Sequence, residues 1–234
     1  MALDTRQIVE TQSRWTACLA RGDADIARLA QRALSGAKLA SEIIGANLRA
    51  IGYPNVPGVI GPDAGLDFRI KALEARIGGS LNPMLACFWR EVGSVCLCDP
   101  VDYAHVAFWE QHGIERVCDG VEIDGCSDEW LSFALDWLAE DDSLTELPLC
   151  PDALHKDDIS GGSPYCIDAL AGWDAPLLNF EWSDVDRPES AKDRCDLVSY
   201  LRTALLECAG FPGLYGEPAF DALRPRLLAG VKLF

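Results

Sequence analysis

Between residues 99 and 146 the chain has almost no positive charge: one basic residue, Arg116, stands against fourteen Asp and Glu. This absence excludes a nucleic-acid-binding surface there, because such a surface must supply Lys and Arg to neutralise phosphates. Apolar runs of the roughly 20 residues that a membrane span needs are also missing. The opening Met1-Ala-Leu-Asp-Thr-Arg6 is charged and lacks the apolar centre of a signal peptide, so a cytoplasmic protein is expected. Histidine is scarce, with only His105, His112 and His155, and no HExxH pattern joins them. No P-loop, no GxGxxG after a strand and no GxSxG elbow occurs, which removes the common signals for nucleotide binding and serine hydrolysis.

The chain does have ten cysteines and a strong negative charge, −17 over 234 residues. The cysteines are scattered and none forms a CxxC pair, and a chain this long buries a core without staples. They read as reduced thiols that pack as small apolar side chains. Cys96-Leu97-Cys98 is a pair at i, i+2, but no second pair at ligand spacing accompanies it, so no metal site is assigned. The Asp and Glu residues of 119–142 lack the spacing of a calcium-binding EF-hand loop. The charge is uneven: residues 1–98 carry a net +2, residues 99–146 a net −13 and residues 147–234 a net −6. An acidic middle third suits a basic partner, since complementary fields speed encounter and exclude wrong partners.

The first sixty residues have helical periodicity. Ile8, Thr11, Trp15, Cys18 and Leu19 lie on one face up to Gly22; Ile26, Leu29, Ala30 and Ala33 open a second stripe, which Leu39 to Ile51 continue. Gly52-Tyr53-Pro54 to Pro57-Gly58 breaks regular structure. Leu66, Ile70, Leu73 and Ile77 predict an amphipathic helix over 66–77, stopped by Gly78-Gly79. Pro83 suits the first turn of a helix whose face is Leu85, Phe88, Trp89 and Val92, closed by Gly93. Strands are expected at 94–97, 144–150, 165–167 and 177–182, and Val101 to Trp109 mixes both periods. Asp128 is placed as the cap of a helix with Trp130, Leu131, Ala134, Leu135 and Leu138 on its inner face. A last helix runs from Leu197 to Cys208, ending at Gly210. The class is α+β.

The pattern Ile70-x-x-Leu73-Glu74-x-x-Ile77-Gly78-x-x-Leu81-x-Pro83-x-Leu85-x-x-Phe88-Trp89-x-x-x-Gly93 resembles the opening signature of the SUKH superfamily, the Smi/Knr-type proteins. His155-Lys156-Asp157-Asp158 through Gly161-Gly162 to Pro164-Tyr165 is similar to a loop of bacterial members. So is the pairing of Tyr200-Leu201-Arg202 with Gly210-Phe211-Pro212-Gly213. The resemblance implies a central, mostly antiparallel sheet flanked by helices over 61–234, with 1–60 as an added helical region. It implies an immunity protein that binds and neutralises a cognate bacterial toxin domain, with no catalytic residues, no cofactor and no metal.

A toxin acting on nucleic acid has a basic groove, which an inhibitor covers with carboxylates. The residues expected to face such a partner are Asp119, Glu122, Asp124, Asp128, Glu129, Asp136, Glu140, Asp141 and Asp142, with Trp109, Trp130 and Trp137 as apolar anchors or as core. Two other readings stand beside this one. The chain is alternatively an interaction scaffold or regulator without a toxin, or a hydrolase using His155, Asp157 and Asp158.

Overall fold

The computed structural model describes residues 4–22, 24–98, 104–115, 120–140, 144–149, 165–182 and 187–234. Helix α1 (Thr5–Arg21) starts where the Asp4 carboxylate accepts from the Arg6 N–H, and it stops at Gly22. Helix α2 (Ile26–Ala50) follows as one uninterrupted rod, about 37 Å long at 1.5 Å per residue. After β1 (Gly58–Ile60) come α3 (Leu66–Ile77) and α4 (Pro83–Glu91). Asn82 caps α4 through Oδ1, which accepts from the Met84 and Leu85 N–H groups, and Pro83 sits in the first turn. Then follow β2 (Ser94–Cys96), α5 (Ala104–Gln111), β3 (Glu122–Ile123), α6 (Asp128–Trp137), β4 (Glu146–Pro148), β5 (Cys166–Asp168) and β6 (Leu177–Leu178). Helix α7 (Leu197–Arg202) widens into a π-helical turn (Thr203–Glu207), and α8 (Pro218–Leu227) closes the order.

The fold is α+β, and every strand pairing is antiparallel. The strands form two three-stranded sheets, β1-β2-β3 and β4-β5-β6, where the resemblance implies one central sheet. Each strand is only two or three residues long. The sheets therefore act as clips that fix the order of the helices, and the helices supply most of the core.

The expected boundary at residue 60 does not divide the structure. Helix α2 packs against α4, β1, α7, the π turn and α8, while α1 packs on α7 and the π turn. The reason is the small-residue face of α2. Ala30, Ala33, Ala37, Ala40, Ser41 and Gly45 are buried along it, and they let neighbouring elements approach closely around Leu34, Ile44 and Leu48. Polar ties add to this. Trp15 Nε1 donates to Asp196 Oδ1 at 3.0 Å, and Gln12 Nε2 donates to the Ser190 and Ser199 carbonyls at 3.2 and 3.3 Å. One apolar core runs from Ile8 to Val231.

Two glycines separate the cost of conformation from the cost of contact. Both Gly78 and Gly93 have positive φ, +69° and +89°, at helix C-termini. A methyl group at Gly78 meets nothing, whereas one at Gly93 collides with the Ile60 carbonyl oxygen and the Gly61 backbone. Gly78→Ala is expected to cost about 1–2 kcal/mol, the left-handed penalty alone. Gly93→Ala is expected to cost about 2–4 kcal/mol, because overpacking against backbone adds to that penalty. Urea denaturation of the two variants measures the difference.

Candidate functional site

Helix α6 carries the acidic surface. Its N-cap is Ser127, whose Oγ accepts from the Trp130 N–H at 3.0 Å; Asp128, expected as the cap, is the first helical residue. Asp128 and Glu129 thus sit in the first turn, where the helix dipole favours negative charge. The inward face is Trp130, Ala134 and Leu138, all buried, with the Trp130 ring against Trp89 at 4.9 Å between centroids. That leaves Glu129, Phe133 and Asp136 on the outward face at i, i+4 and i+7, and the exposed Glu140 follows in the turn just beyond the helix end at Trp137. Among the described residues no cation pairs with Glu129, Asp136 or Glu140. Glu129 and Asp136 are about 10 Å apart along the helix axis. Phe133 interrupts the stripe, 46% exposed, with its ring 6.2 Å from that of the half-buried Trp137.

At the N-terminal end of α6 the stripe meets a cleft of about 250 Å³. Its walls include Ile60, Asp63, Arg69, Trp89, Asp124 and Ser127. Arg69 is the organising group and is only 6% exposed. Its guanidinium pairs with Asp63 at 2.5 Å and Asp128 at 3.1 Å, and its Nε donates to the Cys126 carbonyl. Hydrogen bonding from Arg69 holds the Asp63 carboxyl below its ordinary range, helped by the Gly65 N–H. Asp124 has the opposite environment: half-buried in the cleft wall, its carboxyl is raised by desolvation alone. Burial also pushes the neighbouring Cys126 thiol up to about 11, which leaves it a poor nucleophile.

The structure therefore separates the carboxylates grouped together from sequence. Glu129, Asp136 and Glu140 form the open stripe. Asp128 lies beside it, tied to Arg69, and Asp124 lines the cleft. Glu122 does not join the surface. It sits on β3 with its two carboxylate oxygens 3.7 and 3.4 Å from the thiols of Cys96 and Cys98, because the register sets it opposite Cys96 on the same face of the sheet. Asp119, Asp141 and Asp142 lie outside the described residues, as do His155, Asp157 and Asp158.

Of the expected anchors, Trp109 is 1% exposed among Tyr53, Phe108, Phe211 and Phe220, and Trp130 is core. On α6 the exposed aromatic is Phe133, which the helical period places between Glu129 and Asp136 and which the tryptophans overshadowed; Phe68 on α3 is also exposed. Arg69 gave no local signal, since its guanidinium links Asp63, six residues before it, to Cys126 and Asp128, 57 and 59 residues after it.

The raised carboxyl of Asp124 has a stability consequence. In the unfolded chain Asp124 ionises at about pH 3.9, and in the folded chain at a higher pH. Ionisation thus costs stability as pH rises through the folded value, and the cost persists at neutral pH. Asp124→Asn is expected to raise the thermal midpoint near neutral pH and to lose that advantage below about pH 3.9, where both chains are neutral at this position. Thermal scans across pH measure it. Set against family models, curated proteins and solved structures, the chain returns no match in any of the three comparisons.

Proposed function

We propose that the chain is an immunity protein: a cytoplasmic, non-enzymatic inhibitor that binds a basic toxin domain stoichiometrically through the outward face of α6. The observation that carries this reading is the stripe itself, three carboxylates without cations around an exposed phenylalanine. A cationic surface laid over these carboxylates gains their attraction without displacing any cation of the fold. Phe133 supplies the apolar anchor that turns electrostatic encounter into a specific complex. Asp124 extends the surface into the cleft. A carboxylate desolvated there gains from a partner's Lys or Arg more than an exposed one does.

The identity of the partner as a toxin rests on the resemblance of residues 70–93 to the SUKH signature. The partner's basic character rests on the charge of α6. No helix among the described residues is long and apolar enough to cross a membrane.

The test is co-expression with the polypeptide encoded next to this chain, followed by size-exclusion chromatography and titration calorimetry of the pair. A stoichiometric complex that relieves the neighbour's toxicity is expected. Reversal of Glu129, Asp136 and Glu140 to Lys together is expected to weaken binding and flatten its salt dependence. Equal reversal at the exposed Glu42, Asp174 and Glu181 controls for net charge and is expected to have a smaller effect. Phe133→Ala is expected to weaken binding about tenfold or more without changing the urea midpoint. Unchanged affinity in the α6 triple variant removes this surface from the mechanism.

A further inference from the structure

The β2–β3 clip carries a second chemical feature, unrelated to the acidic stripe. Cys96 stands opposite Glu122 in the antiparallel register, and the Leu97 N–H donates to the Val121 carbonyl one step further along. The Cys96–Glu122 pair is therefore of the non-hydrogen-bonded kind, in which side chains approach most closely. Cys98, two residues on, returns to the same face and lies diagonally across from Glu122. The result is a triangle of donors. Cys96 Sγ and Cys98 Sγ are 3.3 Å apart, Cys96 Sγ is 3.7 Å from Glu122 Oε1, and Cys98 Sγ is 3.4 Å from Glu122 Oε2.

We propose that Cys96, Cys98 and Glu122 form a binding site for a borderline-soft divalent cation of the Zn²⁺ class. All three ligand atoms lie within 4.8 Å of one another. A tetrahedral Zn²⁺ with Zn–S of about 2.3 Å and Zn–O of about 2.0 Å sets its donors about 3.8 Å apart for S···S and about 3.5 Å for S···O. The sulfurs are about half an ångström closer than the S···S edge, and each lies within about 0.2 Å of the S···O edge from a different Glu122 oxygen, so capture needs the thiols to open and the carboxylate to turn one oxygen towards both. The sulfurs are also far beyond the roughly 2.05 Å of a disulfide.

The donor set selects the ion. Two thiolates favour Zn²⁺ over Mg²⁺ or Ca²⁺, and the carboxylate and geometry leave a fourth position for water or another donor. On binding, each thiol loses its proton to solvent as its sulfur bonds the metal, so capture releases protons and strengthens with pH. Cys98 is buried while Cys96 and Glu122 are half-buried, which gives the ion a route in and a shielded seat.

The ion would join β2 to β3 and so tie the end of α4 to the start of α6. This placement is independent of what α6 binds. The i, i+2 spacing alone did not suggest it, because the third donor comes from a strand 24 residues downstream of Cys98.

Spectroscopic titration tests the site. The full chain is reduced, stripped with chelator, desalted and titrated with Co²⁺. A thiolate-to-cobalt charge-transfer band is expected to saturate at a single equivalent and to vanish on addition of Zn²⁺. The band is expected to be lost in Cys96→Ser and in Cys98→Ser. In the unsubstituted chain, Zn²⁺ is expected to shield Cys96 and Cys98 from alkylation while Cys18 continues to react, a readout that stands if a variant fails to fold. Absence of the band with all thiols reduced overturns the proposal. So does a band that persists in the folded Cys96→Ser/Cys98→Ser double variant, or alkylation of both thiols at the same rate with and without Zn²⁺.

Discussion

The close approach of other elements to helix α2 is the constraint on which the structure depends. A 25-residue helix lined by alanine, serine and glycine on its buried face can pass through the middle of a domain, because small side chains let α4, α7, the π turn and β1 come near at once. The large side chains that fill the remaining space come mostly from the partners: Trp89 and Phe88 from α4, Tyr200 and Leu201 from α7, and Phe211 and Phe220 further on. With α2 fixed, α4 is fixed, and the short strand β2 leaves α4 in one direction only. The rest of the first sheet follows from that direction.

The acidic stripe inherits its position from this arrangement. Helix α6 turns Trp130 onto Trp89, so the ring that docks α6 rests on the same helix that packs against α2. Arg69 fastens the N-terminal end by reaching from α3 to Asp128 and to the Cys126 carbonyl. Two inward attachments thus set the rotation of α6 about its axis, and the outward direction of Glu129, Phe133 and Asp136 follows by helical period, with Glu140 exposed in the turn beyond it. The carboxylates most suited to a partner are those with no task in the fold. Asp63 and Asp128 are occupied by Arg69, and Glu122 by two thiols.

What could be read from the sequence follows the range of each signal. Helix α3 was legible to the residue, Leu66–Ile77, because its apolar period and the stop at Gly78 are both local. The placing of Pro83 in a first turn and the breaks at Gly22 and Gly52 are local in the same way, whereas the caps at Asp4 and Asn82 were not read from the sequence. The strand at 58–60 was not visible, since a three-residue strand exists only through its pairing with β2. Nor was the π turn within 197–208. It carries Glu207 inward, where the carboxylate accepts from the N–H groups of Glu189 and Ser190 and from the Ser190 hydroxyl. Those partners lie outside the helix and leave no periodic trace.

At the site, the acidic character of 99–146 was plain from composition, and the outward face of α6 was implicit in its period. Which carboxylates face solvent was not. That depends on Arg69, Cys96 and Cys98, all far from α6 in sequence.

Carboxylate footprinting tests the central claim most directly. The free chain and its complex with the neighbouring polypeptide are labelled with a carbodiimide-activated amine and compared by mass spectrometry. The account predicts that Glu129, Asp136 and Glu140 label readily when free and are shielded in the complex, while Glu42 and Glu181 label equally in both. If the three α6 carboxylates remain open in a stable, inhibitory complex, the partner binds elsewhere and the assignment of this surface is wrong.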